Sequence, residues 1–158
     1  MSSPITPFLW FASGAEDAAD YYVSLFDDAR IVAVSHYPPE VPDGLEGAVM
    51  TVEFELRGQR FTALNGGPVY ELTSAVSFVV RCDTQDEIDR YWSAFEDGGT
   101  PQQCGWIQDR YGVTWQVIPS QLSDWIGGPD EAGRGRAVAA MLAMVKLDIG
   151  ALERAYAG

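Results

Sequence analysis

Few side chains in this sequence could carry covalent or metal chemistry. His36 is the only histidine, Cys82 and Cys104 are the only cysteines, and Lys146 is the only lysine. A lone imidazole excludes zinc sites built on two or three histidines, and the two-histidine iron triad with them. As a general base, His36 would need its neighbours Tyr37-Pro38-Pro39 to fold over a substrate; at a loop edge it reads as solvated. Cys82 and Cys104 stand at strand ends and read as inert thiols rather than a redox pair. Arg81 could meet an anionic substrate, against the plainer role of an ion pair with one of the 23 acids. Asn65, just before Gly66-Gly67, reads first as a turn residue.

The elements that must position these groups are legible from an internal repeat. Residues 8–26 and 78–96 align at a constant offset of 70: Phe8 with Phe78, Leu9 with Val79, Asp17 with Glu87, Tyr21 with Tyr91, Tyr22 with Trp92 and Leu25 with Phe95. Each copy is a short apolar run, expected as a strand over 7–11 and 76–82, followed by an acidic helix. Ser13 with Glu16 has the spacing of a capping box, and Asp83 or Thr84 can cap the second helix. Gly98-Gly99 ends it. Strands are then expected over 31–35, 48–56 and 60–64 in the first copy, and over 104–108 and 113–118 in the second. The tight turns are Arg57-Gly58-Gln59 and Asp109-Arg110-Tyr111-Gly112. The fold class is therefore α+β: two tandem βαβββ modules, 5–67 and 74–119. A helical tail follows over 121–158, with Val138, Met141, Leu142 and Val145 on one face. That face must be buried on this chain or on a partner.

At 158 residues the chain is expected to form one domain. Its net charge of −13 repels phosphate backbones, so no nucleic-acid partner is expected. No apolar run approaches the roughly 18 residues of a membrane span, and the first residues lack the basic and apolar regions of a signal peptide. A cytoplasmic protein with a solvated acidic surface is the expectation.

The sequence resembles the PhnB-like branch of the vicinal oxygen chelate superfamily, a branch labelled 3-demethylubiquinone-9 3-methyltransferase. The matching stretches are Phe8-Leu-Trp-Phe11, Asn65-Gly-Gly-Pro68, Ser77-Phe-Val-Val-Arg-Cys82, Cys104-Gly-Trp-Ile-Gln-Asp109, Gly112-Val-Thr-Trp-Gln-Val-Ile-Pro119 and the tail segment Ala140–Asp148. The resemblance implies that the paired modules form a curved mixed sheet around a cleft, commonly in a homodimer, and that metal-using relatives chelate one divalent ion in that cleft. Carried over, the chelating positions fall near Pro7, at Ser77, at Gln116 and at Leu64 or Asn65.

None of these is a carboxylate or an imidazole, and hydroxyls and neutral amides are poor transition-metal ligands. No metal and no other cofactor is therefore expected. If Ser77 and Gln116 face the cleft, alternation adds Leu9, Phe11, Val79 and Arg81, and Asn65 joins the lining, while Phe8, Trp10, Phe78, Val80 and Trp115 lie under the helices. Such a lining suits a small, partly apolar organic molecule. The leading expectation is a metal-independent small-molecule-binding protein with no assigned catalytic residue. The alternatives are an enzyme of the glyoxalase or dioxygenase type, the methyltransferase of the family label, and an antibiotic-sequestering resistance protein. Against the methyltransferase, Ala12-Ser13-Gly14-Ala15 has one glycine and Gly66-Gly67-Pro68 opens no helix.

Overall fold

The computed structural model describes residues 5–41 and 44–158, and its backbone divides into two compact units, the first ending at Leu72 and the second beginning at Thr73. The first contains β1 (Phe8–Phe11), α1 (Ala15–Leu25), β2 (Ala29–His36), β3 (Val49–Leu56) and β4 (Gln59–Asn65). The second contains β5 (Phe78–Cys82), α2 (Gln85–Glu96), β6 (Thr100–Pro101), β7 (Trp106–Gln108) and β8 (Thr114–Pro119). It continues into the tail helices α3 (Leu122–Gly127), α4 (Glu131–Leu142) and α5 (Ile149–Ala157). Each unit builds its own four-stranded mixed sheet, ordered β1-β4-β3-β2 and β5-β8-β7-β6. In each, the first strand runs parallel to the last and the other pairs are antiparallel. Both are βαβββ modules.

In module one, Arg57 and Gly58 take positive φ values of 48° and 85°, the two-residue turn that matches strand twist and joins β3 to β4. The helix side of this sheet holds Leu9, Phe11, Val52, Phe54, Phe61 and Ala63, all at most 6% exposed. Tyr22 of α1 stacks on Phe54 at 5.9 Å. β2 forms one margin of the sheet and breaks register twice, between Ile31 and Ala33 and between Ser35 and His36. The expected Ser13–Glu16 box is not made. Gly14 occupies the cap with φ 79° and no side-chain cap bond, so Ser13 lies one residue too early.

In module two the box does form, on Thr84 and Glu87. α2 buries Ile88, Tyr91, Trp92 and Phe95, and Phe95 stacks on Trp115 at 4.9 Å. The strand expected over 104–108 begins only at Trp106, because Cys104 and Gly105 turn through positive φ (61° and 80°). Their amide hydrogens donate instead to the carbonyls of Met144 and Val145 in the tail. β6, too short to read from periodicity, completes the sheet.

The tail packs in cis on module two. Leu122, Trp125, Ala137, Leu147 and Leu152 form one core, with Ile118, Ala140, Met141 and Met144 against it. Leu142 and Val145 are 59% and 41% exposed, which corrects the expected face. α4 turns Gly133 and Ala137 inward instead, one step round the helix. Gln85 of α2 holds the tail by its amide, donating to the Leu147 carbonyl at 3.1 Å and accepting from the Ile149 amide at 2.9 Å.

Candidate functional site

The outward face of the module-two sheet, away from α2, is set by β-alternation and register. Val79 pairs with Gln116, and Gln116 with Trp106. Gln116 Nε2 donates to Ser77 Oγ at 2.9 Å. Further along, the Ser74 and Thr114 hydroxyls share a hydrogen bond at 3.0 Å, and Gln102 Nε2 donates to Ser74 Oγ at 3.0 Å. This is a row of neutral hydroxyls and amides beside the apolar Val79, which is 41% exposed. Ser77, Val79 and Gln116 thus share a face. Arg81 lies exposed on the same strand and makes no ion pair among the described residues.

Module one requires correction. Leu9 and Phe11, expected to line a cleft, are buried at 6% and 5% in the core under α1, while Phe8 is 59% exposed on the opposite face. The cause is phase. The buried pairs Leu9, Phe11 and Val80, Cys82 correspond at an offset of 71, and the buried helix sets Ala15, Ala18, Ala19, Tyr22 and Ile88, Tyr91, Trp92, Phe95 at 73. An offset of 70 therefore inverts the faces of one strand, since a one-residue slip moves every side chain to the other side. The uniformly apolar Phe8–Phe11 run gave no alternation from which to detect it.

With the phase corrected, Thr6 stands where Ser77 does in module two, replacing Pro7. The pairs Phe8–Thr62 and Val79–Gln116 make Thr62 the counterpart of Gln116, replacing Leu64 or Asn65. Neither pair, Thr6 with Thr62 in module one nor Ser77 with Gln116 in module two, contains a carboxylate, thiolate or imidazole. No group of three His, Cys, Asp or Glu side chains able to hold a metal occurs among the described residues. These donors do not fit a tightly held divalent transition ion.

Asn65 is not a turn residue but the last residue of β4, and its side chain is fully used inside module one. Its Oδ1 accepts from the Ala15 amide at 2.9 Å, and its Nδ2 donates to Glu16 Oε2 at 2.6 Å and to the Val49 carbonyl at 3.0 Å. It thereby replaces the missing cap of α1, satisfying a first-turn N–H that Gly14 cannot. The Tyr37 hydroxyl donates to the Asn65 carbonyl at 2.5 Å. Next to it, Trp10 donates its indole N–H to the Gly67 carbonyl at 2.9 Å and lies against Gly66, where any Cβ would overlap the ring. Together these contacts wall a cavity of about 340 Å³ lined by residues of module one alone, among them Ser13, Glu16, Tyr37, Leu45 and Asn65.

His36 is exposed at the end of β2. Cys82 is buried and Cys104 half-buried, both as free thiols. Sequence reasoning missed the role of Asp109, which is 4% exposed and accepts from the amides of Tyr111 and Val113 and from the Trp115 indole. Its signal was the aspartate opening a four-residue turn, the position from which a carboxylate bonds its own turn.

Residues 3–118 match the family model described as 3-demethylubiquinone-9 3-methyltransferase. The chain belongs to this family. The tail stretch Ala140–Asp148, which the resemblance had included, lies beyond the matched residues. A Bacillus cereus PhnB protein named for the same methyltransferase is 35% identical, covering 75% of this chain and 100% of its own, with a TM-score of 0.68. Two more distant structures share the fold alone. Protein PA1353 of Pseudomonas aeruginosa is 23% identical over 75% of this chain and 98% of its own, with a TM-score of 0.64. The fosfomycin resistance protein FosX of Listeria monocytogenes, solved with Mn(II) and sulfate, is 12% identical over 80% and 97%, with a TM-score of 0.55. No curated protein matches the chain. The resemblance to the PhnB-like branch is thereby borne out. Neither sheet is doubly wound, and Gly66-Gly67 leads into no helix, so the family's name is not matched here by a Rossmann-type nucleotide site.

Proposed function

We propose that this family member binds a small, partly apolar organic molecule without a resident divalent metal, and that it does so as a cytoplasmic homodimer. The observation that carries the reading is the Gln116–Ser77 hydrogen bond. Two positions that would chelate an ion in metal-using relatives satisfy each other, and both are neutral. Such groups orient a ligand's carbonyl or hydroxyl, while Val79 and Trp106 supply apolar contact. The dimer rests on the family resemblance, and the cytoplasmic location on the two cysteines, both free thiols rather than a disulfide. No helix among the described residues is long and apolar enough to cross a membrane.

The test is elemental analysis of purified protein after incubation with Ni²⁺, Zn²⁺, Mn²⁺ or Fe²⁺ and desalting, beside a small-molecule thermal-shift screen. Substoichiometric metal, with a ligand response weakened by Gln116→Ala, is expected. One equivalent of metal that Gln116→Ala removes overturns the reading.

A further inference from the structure

We propose that the cavity beside the start of α1 is a second binding site, for a primary ammonium group carried on a short alkyl chain. It lies wholly within module one and is independent of the reading of Ser77 and Gln116. Its volume, about 340 Å³, falls at the lower end of the roughly 300–1,000 Å³ typical of small-ligand sites. Leu45, Ala48 and Val49 give it an apolar wall, and Ser13, Glu16 and Tyr37, with oxygen-bearing side chains, also line it.

Hydrogen-bond bookkeeping decides the ligand's chemistry. Both Nδ2 hydrogens of Asn65 are engaged, on Glu16 and the Val49 carbonyl, so it has none left to donate, and its Oδ1, already bonded by Ala15, can only accept. The Tyr37 proton is spent on the Asn65 carbonyl, so toward the cavity the phenol oxygen can only accept. Glu16 uses one carboxylate oxygen on Asn65, and no lysine, arginine or histidine among the described residues pairs with it. Among the lining side chains the half-buried Glu16 carboxylate and the Tyr37 oxygen are therefore acceptors, and the Ser13 hydroxyl is the one that can donate. A ligand must bring hydrogen-bond donors and positive charge, which a primary ammonium supplies with three N–H groups. The overall charge of −13 enriches such cations near the surface. Asn65 is a positioning residue here, since it holds Glu16 at the rim.

The experiment is a titration of the full chain with n-propylammonium, followed through the backbone amide resonances of Gly14, Gly66 and Gly67, with 1-butanol and propionate as matched controls. Saturable shifts with propylammonium alone are expected. Glu16→Gln, whose amide oxygen can still accept from Asn65, should weaken binding about tenfold or more, the scale of one charge-assisted hydrogen bond. Should that variant fail to fold, Leu45→Trp, made at a position 42% exposed, fills the cavity and should abolish the shifts. Absence of saturable shifts, equal shifts from butanol, or binding unchanged in a folded Glu16→Gln or Leu45→Trp protein overturns the proposal. None of these outcomes depends on metal content or on Gln116.

Discussion

The indole N–H of Trp115 donates to the buried carboxylate of Asp109 at 2.8 Å, joining the β7–β8 turn to the centre of the module-two core. The same ring stacks on Phe95 of α2, so one carboxylate fixes both the turn and the aromatic contact between helix and sheet.

Asp109→Asn is expected to destabilise module two by about 1–3 kcal/mol. An amide has one acceptor oxygen where three donors converge, and its NH₂ meets a donor. Trp115→Phe should cost less, because stacking survives and one acceptor is left short. Urea denaturation of both variants checks the order, and an Asp109→Asn protein as stable as the parent contradicts it.

Gly66→Ala is expected to cost about 1–3 kcal/mol, since the new methyl overlaps the Trp10 indole. Trp10→Leu should relieve part of that penalty while losing the bond to the Gly67 carbonyl, so the double variant should be more stable than the sum of the singles predicts. Thermal unfolding of the four proteins completes the cycle.

Gln85→Ala should release the tail before it affects the sheet. The Ile149 amide loses its acceptor and the Leu147 carbonyl its donor, at a cost of about 1–2 kcal/mol. Amide exchange at Ile149, Cys104 and Gly105 should accelerate together, because the last two donate into the same tail segment. Exchange at Val80 should stay slow.

Asp89 titrates below the ordinary aspartate range, held there first by its hydrogen bond from Lys146 at 2.6 Å and then by Gln85. A depressed carboxylate stabilises the folded state above its unfolded pKa, and that contribution is lost as pH falls through the folded value. Lys146→Ala should move the Asp89 titration upward toward the ordinary value of about 3.9. Carboxyl NMR titration reads this directly. The stability difference between parent and variant should vanish on the acid side of that range, and a difference growing toward acid would refute the assignment.

Much of this architecture was legible before any coordinates. The βαβββ order, the Thr84 cap and the Asp109 turn follow from local chemistry that tertiary context reinforces. The outward face of module two was legible as well, because Val79 and Arg81 alternate with Val80 and Cys82. Module one failed where local signals were uniform: Phe8–Phe11 is apolar throughout, so phase had to be borrowed from the other copy, and the borrowed phase was one residue out. Asn65 was misread for a different reason. Its partners, Ala15, Glu16 and Val49, lie 50, 49 and 16 residues away in the chain, and no local pattern encodes such a cap. The tail face shifted by one step because alanine and glycine, which carry little hydropathic signal, make the close approach of α4.

The two register breaks in β2 bear on behaviour at high concentration. They divide an eight-residue marginal strand into runs of no more than three residues in continuous pairing with β3. A straight, unpaired margin is a template on which strands of other molecules can grow. This one is bent twice, offering an incoming strand too short a stretch for stable addition. Within module one the margin is interrupted by its own bulges, and crowded solutions of this acidic protein should resist edge-to-edge fibril growth. Deleting Val32, the residue left unpaired at the first break, would merge the pairs from Ala29 to Ser35 into one continuous run and would be the change to introduce if such growth were wanted.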